Sequence, residues 1–291
     1  KHHNGVIAIG NFDGLHLGHQ KVIREAKQKA KKNKLPLGLM TFEPVPVMFF
    51  NKNIKNHRIN TLQQKTTQLN KFGLDFLIII RFSKSFSSLT AKEFISKIIS
   101  KKTKCRYLYV SKNFKFGFKR QGNIKILKKY EKQFNYKNII TKPFKKNHKI
   151  ISSTFIRKKI REGEFNLVNK LLNRNWCVEG KVIKGKKRGR KIGFPTCNIR
   201  LGSYVVPKLG VYAVRVKGKN LNKNGIANVG YRPTFNGQSL LLETNIFGFN
   251  KILYNKVIKV YFKNFIRAEK KFKNFEYLKK QIKIDIKLAK K

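Results

Sequence analysis

Short continuous apolar runs alternate with stretches of helical spacing through the first half of the chain. Val6-Ile7-Ala8-Ile9 is followed by Val22, Ile23, Ala26 and Ala30 on one helical face. Residues 37–42 read as a second buried strand, closed by Glu43-Pro44-Val45-Pro46. A helical stretch over 61–72 leads to a strand at 76–80. Residues 91–101 then carry Phe94, Ile95, Ile98 and Ile99 at helical spacing, and 107–110 form the next strand. Uninterrupted apolar strands alternating with helices predict a parallel sheet covered on both faces. Ligands of such sheets sit beyond the carboxyl ends of the strands, where the strand order reverses.

The period changes near Asn173-Arg174-Asn175-Trp176. Beyond it lie short strands at 178–183, 211–216, 225–229, 240–247 and 256–262, with no long helix between them. That pattern predicts an antiparallel barrel or sandwich. A closing helix places Phe275, Leu278, Ile282, Ile286 and Ala289 on one face, a stripe expected to pack on the barrel. The expected organisation is thus an α/β domain over 1–175 and a β domain over 176–291.

Composition adds one unusual fact. Lys+Arg 68 against Asp+Glu 13 gives a formal net charge of +55 over 291 residues. Such a charge fits a nucleic-acid or anionic-surface partner, and equally a composition drifted toward Lys, Asn, Ile and Phe everywhere, core positions included. The charge runs along the whole chain with no discrete basic tail, which favours drift. Aromatic residues lie at core-like spacing and no RNA-binding aromatic pair is present, so no specific nucleic-acid partner is expected. Three cysteines, Cys105, Cys177 and Cys197, lack metal-ligand spacing and read as reduced thiols of a cytoplasmic protein. No apolar run is long enough to cross a bilayer, and no membrane partner is expected.

Candidate chemistry gathers in a few segments. Gly10-Asn11-Phe12-Asp13-Gly14-Leu15-His16-Leu17-Gly18-His19 joins the first strand to the first helix. Free N–H groups and the positive end of a helix make such a turn an anion site, and His16 and His19 add donors there. An ordinary βα turn with incidental histidines is the plainer reading. Asn113 follows the strand at 107–110. Ser152, Ser153 and Thr154 open a helix with Arg157 one turn later. Hydroxyls there serve as caps or, with the arginine, as a phosphate cradle.

In the second half, Gly185-Lys186-Lys187-Arg188-Gly189-Arg190-Lys191 is either a phosphate-covering turn or a lysine-rich loop. Gly193-Phe194-Pro195-Thr196-Cys197-Asn198 sets a hydroxyl and an amide two residues apart, on one side of an extended chain, as hard oxygen donors suited to Mg²⁺. Glu243 is a carboxylate inside the apolar strand Leu240-Leu241-Leu242-Glu243-Thr244. It is a candidate general base or an outward-facing strand residue.

In this order and spacing the segments resemble the bacterial bifunctional riboflavin kinase/FMN adenylyltransferase (FAD synthetase) family, from Val6 nearly to the C-terminus. His16-Leu17-Gly18-His19 resembles its HxGH signature. Thr41-Phe42-Glu43-Pro44, Asn113-Phe114-Lys115-Phe116-Gly117 and 151–157 resemble its later adenylyltransferase segments. Pro195-Thr196-Cys197-Asn198 resembles its PTAN motif, with Cys197 for the usual alanine, and Leu242-Glu243 resembles the strand of its catalytic glutamate. Asn228-Val229-Gly230-Tyr231-Arg232-Pro233-Thr234-Phe235 and Ile266-Arg267-Ala268-Glu269-Lys270-Lys271-Phe272 match further kinase segments. Val45 stands where the family often has histidine, and Phe247-Gly248-Phe249-Asn250 lacks the usual acids.

The resemblance implies a Rossmann-like nucleotidyltransferase domain followed by a six-stranded barrel kinase domain with a C-terminal helix. It implies phosphorylation of riboflavin by ATP to FMN, and adenylylation of FMN to FAD with release of pyrophosphate. Glu243, His16 and His19 become the expected catalytic residues. Gly10, Phe12, Asp13, Gly14, Asn113, Ser152, Ser153, Thr154, Arg157, Gly185, Gly189, Thr196 and Asn198 become ATP and phosphate contacts. Thr196 and Asn198 are also the expected Mg²⁺ ligands, and Arg267 the expected flavin contact. The substrates are riboflavin, FMN and ATP; the sequence leaves the oligomeric state open.

Overall fold

The computed structural model describes residues 4–146, 149–185, 188–234 and 237–290. Lys186, Lys187 and Phe235 of the segments above lie outside the described residues. The chain packs as two compact units, Lys1–Lys55 with Thr61–Ser153, and Asn56–Asn60 with Thr154–Lys291.

The first unit contains β1 (Val6–Ile9), α1 (Leu17–Lys32), β2 (Leu37–Glu43), α2 (Pro46–Phe50), α3 (Leu62–Asn70), β3 (Phe76–Arg81) and α4 (Lys84–Ser87). It continues with α5 (Ala91–Glu93), β4 (Tyr107–Ser111), α6 (Ile124–Lys129), β5 (Lys137–Thr141) and a small hairpin of β6 (Lys145–Lys146) and β7 (Lys149–Ile150). Its parallel sheet has the order β3-β2-β1-β4-β5. Successive β1 residues serve opposite faces. Val6 and Ala8 pack with α1 residues Val22, Ile23, Ala26 and Ala30. Ile7 and Ile9 pack with Phe94, Ile95, Ile98 and Ile99.

Two expectations for this unit need correction. The strand at 76–80 is not buried on both faces: β3 is an edge strand and Ile79 is 42% exposed. An edge strand lacks a neighbour on one side, so an apolar run does not by itself imply two covered faces. The helix over 91–101 is α-helical only through Glu93 and continues as a π-helix over Phe94–Lys102, which keeps the four apolar residues buried. β5 and the short helices carry too little apolar periodicity to be legible in the sequence.

The second unit begins within α7 (Ser153–Glu162), followed by α8 (Phe165–Leu172), β8 (Cys177–Lys181), α9 (Arg188–Lys191), β9 (Cys197–Arg200), β10 (Gly210–Gly218), β11 (Leu221–Thr234), β12 (Gly237–Ile246), β13 (Val257–Arg267) and α10 (Phe275–Lys290). α7 ends before Gly163, whose φ of +78° suits glycine, and α8 starts at Phe165. Phe165 of α8 stacks on Trp176 and Phe262, with centroids at 5.4 and 4.8 Å, so α8 packs on the barrel. Packing therefore divides the chain after Ser153, earlier than the change of sequence period at 175/176.

The six strands run β8-β13-β10-β11-β12-β9, antiparallel throughout. The sheet nearly closes where the Ile183 N–H donates to the Asn198 carbonyl at 2.9 Å. Leu242, Thr244 and Ile246 of β12 are buried, while Glu243 between them is partly exposed on the other face. The C-terminal stripe differs from expectation at its first residue. Phe275 is 62% exposed, whereas the buried residue of α10 is Asp285. An acid buries here because Arg267 clasps it: Nε lies 2.9 and 3.1 Å from the two Asp285 oxygens and one terminal nitrogen 2.7 Å from Oδ2.

Candidate active sites

The turn after β1 lies at the carboxyl edge of the parallel sheet, where the strand order reverses between β1 and β4. Its path needs left-handed backbone at Phe12 (φ +46°), Gly14 (+83°) and Leu15 (+44°). Phe12, Asp13 and Leu15 are nevertheless buried, so packing compels the conformation. His16 then caps α1: its Nδ1 accepts the His19 N–H at 3.3 Å. With Nδ1 accepting there, a neutral ring carries its proton on Nε2. The His16 and His19 rings stack with centroids 3.7 Å apart. A side chain at Gly18 would press on the His16 ring, which explains the glycine of this turn.

Further groups fix the turn from outside. Ser153 donates to the Asp13 carbonyl at 2.8 Å, so this hydroxyl holds the turn's backbone. Lys65 of α3, fully buried, donates to the Asn11 carbonyl at 2.9 Å and to Thr41 Oγ1 at 3.3 Å. Thr41 donates to the same Asn11 carbonyl at 3.1 Å. Nothing in the sequence distinguishes Lys65, because lysine occurs at every kind of position. Asn113 is exposed in the turn after β4, on the same carboxyl edge as the β1 turn. Ser152 is half-buried and Thr154 exposed; Arg157 is buried and donates from Nε to the His57 carbonyl at 2.8 Å.

The barrel assembles its polar row through strand register. Glu243 on β12 stands opposite Asn198 on β9 and opposite Asn228 on β11. Directly paired residues share a face, so three polar side chains line one row. Asn198 is buried, and its Oδ1 has no hydrogen-bond partner among the described residues. A Cβ at Gly185 would collide with the Asn198 amide, and one at Gly189 with the Phe194 carbonyl beside Thr196 Oγ1. The two glycines thus let the basic turn lie against Asn198 and Thr196. A cavity of about 60 Å³ opens beside them, lined by Thr196, Thr244, Phe249, Leu253 and Tyr254 among others. Cys197 points to the Thr244 carbonyl, and burial pushes its thiol up to about 12.

Glu243 does not stand alone. Its Oε2 receives two N–H groups of Arg232, at 2.7 and 2.8 Å. Arg232 also donates to Glu269 Oε1 at 3.0 Å, and Asn228 donates to that same oxygen at 3.0 Å. Burial works against the charged guanidinium, yet the Glu243 and Glu269 carboxylates outweigh it and hold Arg232 above its ordinary value. Both partner residues sit in segments that the sequence singles out, but their convergence is non-local and had no signal there. Arg267 is engaged by Asp285 and also donates to the Ala268 carbonyl at 3.0 Å.

A switch-point turn with paired histidines, and a barrel in which Gly185 and Gly189 lie against an amide and a hydroxyl beside a carboxylate, fit an enzyme of nucleotidyl and phosphoryl transfer. The family profile of FAD synthetase matches residues 1–155 and that of riboflavin kinase matches 172–291. The bifunctional riboflavin kinase/FMN adenylyltransferase of Buchnera aphidicola subsp. Schizaphis graminum is 40% identical over 99% of this chain and 94% of its own length. The protein of that name from Haemophilus influenzae is 40% identical over 98% and 92%, and that from Escherichia coli K12 35% over 95% and 89%. The chain belongs to the bifunctional riboflavin kinase/FMN adenylyltransferase family. A crystal structure described as a macrolide-efflux protein from Streptococcus pneumoniae superposes with a TM-score of 0.87 at 32% identity, covering 100% of this chain and 95% of that one. Among the described residues, no helix is long and apolar enough to cross a membrane.

Proposed function

We propose that the two reactions of the family, riboflavin with ATP to FMN and FMN with ATP to FAD and pyrophosphate, run at the two sites described, the kinase step at the barrel row and the adenylyl step at the β1 turn. The observation that carries the reading is register: strand pairing sets Glu243 between Asn198 and Asn228. An acid is scarce in this chain, and one held among amides on a sheet face is suited to proton acceptance.

In the kinase step, Glu243 accepts the proton of the riboflavin terminal hydroxyl as its oxygen attacks the γ-phosphorus, and ADP leaves. Gly185 and Gly189 bring backbone against the nucleotide phosphates. The unpaired Asn198 Oδ1 and the Thr196 hydroxyl fit a divalent ion, since both are hard oxygens. Among the described residues no three His, Cys, Asp or Glu side chains cluster, so such an ion would complete its shell with substrate phosphate and water oxygens. A bound Mg²⁺ supplies charge neutralisation for the transferring phosphoryl group. Arg267 acts at the flavin end indirectly, through the segment that its pair with Asp285 anchors.

In the adenylyl step, the FMN phosphate oxygen attacks the α-phosphorus of ATP and pyrophosphate departs. His16 Nε2–H and His19 follow the charge that develops on the α-phosphate and the leaving group. Gly10, Phe12, Asp13 and Gly14 supply the backbone cradle, with Ser152, Ser153 and Asn113 beside it. Roles for Thr154 and Arg157 in gripping the triphosphate rest on the resemblance of the 151–157 segment. Positioning dominates both steps, as phosphoryl chemistry asks little covalent work of the protein. The reading places the enzyme in the cytoplasm, with small-molecule substrates only.

Purified protein given riboflavin, ATP and Mg²⁺ should yield FMN and then FAD on chromatography. Neither product appearing would sink the proposal.

A further inference from the structure

Glu243 is expected to act as a base, yet two N–H groups of one guanidinium already grip it. Both go to Oε2, at 2.7 and 2.8 Å, and the described structure gives Oε1 no partner. A carboxylate held through one oxygen cannot swing about its terminal torsion, so the other oxygen keeps one direction. The same guanidinium is shared: its other terminal nitrogen meets Glu269 Oε1 at 3.0 Å. Asn228, Glu243's neighbour across the strands, donates to that oxygen as well. The backbone is shaped for this meeting. A Cβ at Gly230 would strike the Glu269 carboxylate and the Arg232 guanidinium, so only glycine leaves the space in which they join.

From this arrangement we infer that Arg232 is a positioning residue for the kinase step: it orients Glu243 so that Oε1 faces the riboflavin hydroxyl, while Glu269 anchors the guanidinium and offsets its charge. The inference rests on the reading of Glu243 as the base. An arginine facing a lone carboxylate would stabilise the ionised form and weaken it as a proton acceptor. A second carboxylate on the far side of the guanidinium counters that effect and leaves the orientation. The row and its support thus come from three places in the barrel: β11 for Asn228 and Arg232, β12 for Glu243, and the segment after β13 for Glu269. All three charged side chains are about one-third exposed, open to a small solute.

The test is steady-state FMN formation by Arg232→Ala in the full chain, with FAD formation from supplied FMN measured in the same preparation. Arg232→Ala should lower kcat about 10- to 100-fold, the usual range for removing a group that orients a reactive one. The KM values for riboflavin and ATP should stay within about twofold, since the loss lies in the transition state. Added ethylguanidinium should restore part of kcat, which a structural role would not allow. In a Glu243→Gln background, Arg232→Ala should cost nothing further, because residues acting as a unit are non-additive. If Arg232→Ala melts early by circular dichroism, Arg232→Lys carries the test: it retains charge without the two-pronged hold and should lose about tenfold in kcat. Wild-type kcat in either variant, or a loss in Arg232→Ala that ethylguanidinium leaves untouched in a folded protein, overturns the inference. Glu243→Gln with undiminished FMN formation overturns the base reading itself, and the inference with it. An inactive Glu243→Gln beside a fully active Arg232→Ala overturns the inference alone.

Discussion

The β1 turn and the barrel row are two polar sites of different construction. The turn is contiguous: ten residues carry the strand end, the left-handed backbone, the cap and both imidazoles. Lys65, Thr41 and Ser153 hold it through its own backbone carbonyls. The row is assembled from residues on separate strands, and its carboxylate is balanced by an arginine and a second carboxylate. A contiguous site depends on backbone conformation, so its weak points are glycines and caps. An assembled site depends on register and ion pairs, so its weak points are the groups that hold strands and helices in place.

The contiguous site should fail at its imidazoles. His19→Ala should lower FAD formation from FMN about 100- to 1000-fold, the scale of losing one transition-state donor. FMN formation from riboflavin should stand, and chromatography of both products reads the difference. The assembled site should fail through its supports. Asp285→Asn leaves the Arg267 guanidinium without its buried carboxylate and should cost about 3–5 kcal/mol, as breaking a buried pair does. Thermal or urea unfolding of the barrel would show it.

Local contiguity also explains what the sequence made legible. The turn after β1, α1 and its buried face, β1, β2 and β4 follow from short-range patterns and stand as expected. Thr196, Asn198 and Glu243 were visible as chemistry on strand-like stretches, and pairing then brought Asn198 beside Glu243. Arg232 meeting Glu269, Lys65 beneath the turn and Asp285 of α10 clasped by Arg267 were not legible. Each is a charged residue held by a partner distant in sequence, and with 68 Lys and Arg no single one stands out. Phe275 misled for the complementary reason: an apolar residue at the right spacing still lies at a helix end with nothing over it.

Smaller effects sharpen the contrast. Lys65→Met removes the Nζ donor to the Asn11 carbonyl and to Thr41 Oγ1 and should cost about 1–3 kcal/mol, since these acceptors lose a partner. FAD formation should fall with it while FMN formation holds. The smallest effect belongs to Cys197. With its thiol pushed up to about 12 by burial, it stays protonated at pH 8 and should react with a disulfide reagent far more slowly than a free thiol of ordinary pKa near 8.5. Cys197→Ala should leave both activities within about twofold, since a swap of small residues keeps the backbone role.

The central claim is that two independent sites in one chain perform two successive reactions. The most direct measurement is the flavin product of Glu243→Ala, started once from riboflavin and once from FMN. The account predicts FMN formation reduced at least about 100-fold, the scale of a general base, with FAD formation from FMN at the wild-type rate. If both products fall together, or if riboflavin is still converted at the wild-type rate, the account is contradicted.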